Sequence, residues 1–83
     1  MNVDYKVFGE RLKTLRTEKG TSQEEVAEIA GISVRQYRLY EAGQVTPPLD
    51  RVVALTYYFD VSMDYIVGLC DGEGKKTLPI TKE

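Results

Sequence analysis

Apolar residues early in the chain fall at Phe8, Leu12 and Leu15, the i, i+4, i+7 spacing that lines one face of a helix, with charged residues between them. This pattern predicts a helix over Tyr5 to Glu18 with that face in the core. A second helix is expected over Gln23 to Ala30, whose apolar set is Val26, Ala27, Ile29 and Ala30; the small alanines let another helix approach closely. In a third, Val34 to Ala42, Tyr37 and Tyr40 lie three apart and share a face, which places both rings in the core with their hydroxyls at its margin. Ile32, in the turn between, plugs the angle. A fourth helix, Leu49 to Phe59, buries Val52, Leu55, Thr56 and Phe59, and a fifth, Met63 to Leu69, turns Ile66 and Val67 inward. From Cys70 to Glu83 the helical period stops. The reading is an all-α domain over residues 1–70 and a polar tail over 71–83, with Thr77 to Ile80 open as a strand or a partner-binding segment.

The helix ends carry their own chemistry. Ser22 with Glu25 and Ser33 with Gln36 have the capping-box spacing, in which the hydroxyl takes an orphan backbone N–H and the longer side chain reaches back to the cap. Gly31 and Gly43 close the second and third helices, because glycine enters the left-handed region without steric cost. Lys19 and Gly20 end the first helix in the same manner. Pro47 and Pro48 force an extended approach and then suit the first turn of the fourth helix. Ser62 caps the fifth, with Asp64 favourable at its start.

With 83 residues, the chain has room for a single thin core. Its net charge of −2 and a pI near 5.1 argue against nucleic-acid binding by bulk attraction. Distribution matters more than the sum. Lys6, Arg11, Lys13, Arg16 and Lys19 outnumber Glu10 and Glu18 in the first helix, while Glu24, Glu25 and Glu28 restore the balance in the second. Glu24 and Glu25 are accounted for by the helix dipole. The chain has no histidine, a single cysteine at Cys70, no metal-ligand spacing and no run long enough to cross a membrane, and its charged start does not resemble an export signal. A cytoplasmic, cofactor-free, metal-free and non-enzymatic protein is expected.

The segment from Thr21 to Gly43 reads as two helices joined by a glycine turn. This is either a helix-turn-helix that presents its second helix to the DNA major groove or an αα-hairpin of a small bundle. Stepping 100° per residue from the Tyr37 and Tyr40 face, Arg35 points almost directly away, with Arg38, Leu39 and Ala42 flanking it and Val34 at the N-terminal end. Direct readout needs such a face: an arginine fork can bond guanine O6 and N7 together, and apolar groups can meet thymine methyls. Most surface arginines are merely solvated, so this face alone does not decide between the two.

The run from Phe8 to Leu69 resembles the phage repressor, Cro and Xre-type helix-turn-helix family. The resemblance is carried by Arg11-Leu12, Leu15-Arg16, Ser22-Gln23-Glu24-Glu25 with Ala27, Gly31 with Ser33, Tyr40-Glu41 before Gly43, Pro48, and Val61-Ser62-Met63-Asp64-Tyr65 before Gly68. It implies a compact five-helix, lambda-repressor-like bundle and sequence-specific binding of double-stranded DNA as a bacterial or phage transcriptional regulator, expectedly a repressor. Base contacts are implied for Val34, Arg35 and Leu39, with Arg38 nearby. Backbone contacts are implied for Lys19, Thr21, Gln23, Ser33, Gln44 and Thr46, and a structural ion pair for Arg16 with Glu41. Two features depart from the family: Val34 and Leu39 are apolar where relatives place polar readers, and Tyr37 stands where a smaller aliphatic is common. A weak homodimer on a palindromic operator is expected, through the fifth helix, Tyr57, Tyr58 or the tail, with no small-molecule ligand. The alternative is an antitoxin-like or regulatory interaction module on the same fold.

Overall fold

The computed structural model describes residues 5–68, which form five helices: α1 Tyr5–Lys19, α2 Gln23–Ala30, α3 Val34–Ala42, α4 Leu49–Phe59 and α5 Met63–Ile66. No strand occurs among the described residues. The expectations for Cys70, for Thr77 to Ile80 and for the 71–83 tail lie outside them. α1 lies along α3, α2 packs between α3 and α4, and α5 closes the base against α1 and α4. Phe8, Leu12 and Leu15 from α1 meet Val26, Ala27 and Ala30 from α2, Tyr37 and Tyr40 from α3, Val52, Leu55 and Phe59 from α4, and Ile66 from α5 in one buried cluster. Removing side chains such as Leu12, Leu55 and Ile66 from water contributes roughly 1.5–3 kcal/mol each. The rings of Phe8, Tyr40 and Tyr37 pack in sequence at centroid separations of 6.2 and 6.3 Å, tilted at 54°.

Local chemistry sets the helix ends. At Ser22 both halves of the capping box form: its hydroxyl accepts from Glu25 N–H at 3.1 Å, and its own N–H donates to Glu25 Oε1 at 2.7 Å. Gly31 and Gly43 take φ of 74° and 71° and return their N–H groups to the last turns of α2 and α3. Asp60 holds the same left-handed position after α4, at φ 56°, a conformation that aspartate tolerates better than most residues. The α2 end is also bonded from a distance, since Arg51 Nη1 donates to Ala30 O at 3.0 Å.

A backbone contact sets the closest approach in the bundle. A methyl group at Gly9 would fall 2.3 Å from the carbonyl oxygen of Glu41 and 2.7 Å from that of Tyr40. One at Gly43 would fall 2.9 Å from Lys6 Cα and from the Tyr5 carbonyl oxygen. The first half of α1 thus rests directly on the carboxyl end of α3.

Several expectations are corrected. α1 runs one residue further, to Lys19. Ser33 accepts from Gln36 N–H at 3.1 Å, but the reciprocal bond does not form, so a full box exists at Ser22 and half of one at Ser33. Pro48 is the cap of α4 and not a member of its first turn; its carbonyl accepts from Arg51 and Val52 N–H. α5 stops at Ile66, short of Leu69, because Val67 and Gly68 leave the helix, Gly68 at φ 90°. Ile29 is 48% exposed: α2 is short, and Val26, Ala27 and Ala30 already occupy its inner face. The Tyr37 hydroxyl is not at the margin of the core. It is buried beside Glu41 and Arg16 and makes no hydrogen bond of ordinary geometry to either.

Candidate nucleic-acid interface

α3 is held by its inner face and its carboxyl end. Tyr37 and Tyr40 are sunk in the core, and Glu41 is bonded from both neighbouring helices. Arg16 Nε donates to Glu41 Oε2 at 2.7 Å and its Nη2 donates to Oε1 at 3.3 Å, the two-pronged geometry natural to guanidinium and carboxylate. Gln23 Nε2 adds a bond to Glu41 Oε1 at 3.1 Å. Burial alone would raise the Glu41 carboxyl, but the Arg16 guanidinium, the adjacent Tyr37 hydroxyl and the Gln23 amide hold it below the usual carboxylate range. Bonding to Glu41 outweighs burial for Arg16 and raises its guanidinium further. Arg16 also reaches the Thr21 carbonyl at 3.3 Å, while the Thr21 hydroxyl donates to the Arg16 carbonyl at 3.4 Å. The end of α1 and the start of α2 are thereby tied to α3. Burial pushes the Tyr37 hydroxyl far up, so it stays protonated beside this network.

The chain of bonds continues outward. Arg38 Nε donates to Gln23 Oε1 at 3.1 Å, and its Nη2 lies 3.8 Å from Glu24 Oε2 with both side chains more than half exposed. An exposed pair at that distance contributes little stability. Arg16, Glu41, Gln23, Arg38 and Glu24 form a polar line from the edge of the core to the surface at the head of α2.

The residues expected to touch nucleic acid are distributed unevenly. Arg35 is exposed, on the side of α3 opposite its buried tyrosines, and Arg38 is exposed but bonded to α2. Leu39 is half-buried, as is Val34, which packs against the core and offers only part of its surface. Gln23 sits at the head of α2 within bonding distance of two α3 side chains. The Ser33 hydroxyl is used as a cap, and Thr21 is bonded to Arg16. Gln44 and Thr46 are exposed after α3. Lys19 is drawn elsewhere: its ammonium lies 4.9 Å from the centroid of the Tyr58 ring on α4. Glu24, which the sequence explains fully by the helix dipole, has a further part as the neighbour of Arg38. Arg51 and Arg11 carry bonds that no spacing signals, Arg11 to the Tyr65 carbonyl and across its ring at 4.2 Å.

Among the described residues no group of side chains could hold a metal ion, and no helix is long and apolar enough to cross a membrane. A helix-turn-helix family model matches residues 12–66. The chain is 41% identical over 70 residues to the HTH-type transcriptional regulator YobD of Bacillus subtilis, covering 84% of this chain and 62% of YobD. It is 33% identical over 61 residues to the cryptic phage CTXphi transcriptional repressor RstR of Vibrio cholerae, covering 74% and 55%. The chain thus spans a little over half the length of these curated relatives. The restriction-modification controller protein C.AhdI of Aeromonas hydrophila superposes with a TM-score of 0.70 at 32% identity, over 78% of this chain and 98% of that one. Matched over most of its length in sequence and in fold, the chain belongs to the Xre-like helix-turn-helix family of transcriptional regulators.

Proposed function

We infer that this chain binds double-stranded DNA sequence-specifically, as a small bacterial or phage transcriptional regulator of the repressor kind, with α3 in the major groove. One observation carries the reading. α3 is fixed by the buried Tyr37 and Tyr40 and by the Arg16 and Glu41 pair, while its opposite side, headed by Arg35, is exposed and unobstructed. A rigidly seated helix with a free arginine face is what base-edge recognition requires. Arg35 and Leu39 are the leading base readers, with Val34 contributing a partial apolar edge; Arg38 lies beside them, bonded to Gln23. Gln23, Thr21, Ser33, Gln44 and Thr46 line the flanks where phosphates pass. Lys19 would join them only by leaving Tyr58. The protein acts by binding and not by catalysis, in the cytoplasm where its DNA target lies.

Selection of bound sequences from random duplex DNA, followed by affinity measurements on the selected site and a random duplex at one fixed salt concentration, tests this reading. Arg35→Ala is expected to lose about 1–3 kcal/mol on the selected site and to relax preference at one base pair, with little change on random DNA. Gln23→Ala is expected to weaken all sequences alike. Equal loss of specific and random affinity in Arg35→Ala would make Arg35 a phosphate contact. Absence of any effect, or binding to a protein partner that ignores salt, would favour the interaction-module alternative.

A further inference from the structure

The Gln23 amide is bonded at both ends, and its two partners dictate which end is which. Glu41, a carboxylate, can only accept; the Arg38 Nε–H can only donate. The amide therefore turns Nε2 to Glu41 at 3.1 Å and Oε1 to Arg38 at 3.1 Å. The reverse orientation would set two donors together at one end and two acceptors together at the other. Glu41 is itself immobilised by Arg16 at 2.7 Å. Of the two amide N–H bonds, one is spent on Glu41 and the other is left to offer at the head of α2.

We propose that Arg38 is a positioning residue for Gln23 and not a reader of bases: its Nε–H locks the amide so that the spare N–H is presented in one fixed direction. Arg38 cannot hold Gln23 and reach a base edge with the same N–H. Its Nη2 lies 3.8 Å from Glu24 Oε2, so two of its three nitrogens face the head of α2. The role of Arg38 toward DNA rests on the DNA-binding reading above; the lock on the amide belongs to the free protein and can be tested without DNA.

The first measurement is the pair of side-chain amide resonances of Gln23 in the free, full-length chain. In the wild type the two protons are inequivalent in environment, one facing a carboxylate. Arg38→Ala is expected to move both toward the values of an exposed glutamine. Arg38→Gln should restore the wild-type signature, since a glutamine Nε2 stands the same number of bonds from the backbone as an arginine Nε and supplies a donor without charge. The second measurement is affinity for the selected and random duplexes at fixed salt. Arg38→Ala and Gln23→Ala should each lose about tenfold, the scale of one hydrogen bond with a charged partner. The double variant should lose little more than either single one, and base preference should be unchanged. Gln23 resonances indifferent to Arg38→Ala overturn the lock. Additive losses, or a changed base preference in Arg38→Ala, overturn the positioning role and return Arg38 to base reading. A wild-type chain that binds no duplex overturns the DNA-binding reading, while the resonances still decide whether the lock exists.

Discussion

Glu41 is where three helices are joined, and its ionisation is the most consequential protonation state in the domain. Arg16, the adjacent Tyr37 hydroxyl and Gln23 depress its folded-state pKa despite burial. A carboxyl with a lower pKa folded than unfolded binds fewer protons in the folded state, so its stabilisation is present above the unfolded value and lost as pH falls through the folded one. Chemical denaturation followed from neutral pH downward is expected to show stability falling below about pH 4.3, the ordinary glutamate value, with a shallower fall in Glu41→Gln. Equal slopes would show that Glu41 does not control the acid limb. Tyr37 offers a contrasting test beside it. Its hydroxyl is buried beside Glu41 and Arg16 without a hydrogen bond of ordinary geometry, and a buried polar group left so costs about 1–3 kcal/mol. Tyr37→Phe should therefore melt no lower than the wild type. A clear drop in melting temperature would mean that the hydroxyl does bond to Glu41 or Arg16.

At the scale of elements, the two helices that matter most are joined through a missing side chain. Gly9 is interior to α1, where alanine would ordinarily gain about 1 kcal/mol of helix propensity. A methyl group there would meet the carbonyl oxygens of Glu41 and Tyr40 at 2.3 and 2.7 Å, and backbone cannot swing aside as a side chain can. Gly9→Ala is expected to destabilise by about 1–3 kcal/mol net, read from urea unfolding; a more stable variant would show that α1 and α3 are loosely seated. Whether a partner is near or distant along the chain governs what the sequence makes legible. The limits of α2, α3 and α4 were legible because Ser22, Ser33, Gly31, Gly43 and the Pro47-Pro48 pair act on the chain within a turn of themselves. Gly68 marks the end of α5 in the sequence too, but the helix stops earlier, at Ile66, and no residue spacing signals that. The need for glycine at position 9, the Arg51 bond to α2 and the burial of the Tyr37 hydroxyl arise from distant partners. Of the site, the outward direction of Arg35 followed from helical geometry. The attachment of Arg38 to α2 did not, because periodicity gives direction and not partners.

For the whole molecule, the proposed reading gives one α3 only a few base pairs to cover, and on that reading tight specific binding calls for two copies on half-sites about 34 Å apart. The described surface offers apolar material for pairing. Leu49 is 68% and Tyr57 79% exposed, and Leu49 borders an apolar groove of about 180 Å³ with Tyr5, Phe8, Pro47, Val52 and Met63. Tyr58 is a poorer candidate, since it is already engaged by Lys19 and by the edge of Phe59. Leu49→Lys is expected to weaken binding to a paired site while leaving affinity for a single half-site unchanged, with matching loss of self-association in sedimentation. High affinity of the wild type for one unrepeated half-site would rule the dimer out.

The glycines at 9 and 43 also bear on how this chain could be altered. With the α1 backbone directly against the carboxyl end of α3, and Tyr37, Tyr40 and the Arg16 and Glu41 pair holding its inner side, the seating of α3 rests on residues other than those that face outward. Arg35 and its exposed neighbours are in that sense an exchangeable label on a rigid mount. If that face reads DNA as proposed, its preference can be rewritten by substitution without refolding the domain beneath it, as long as positions 9 and 43 keep their glycines.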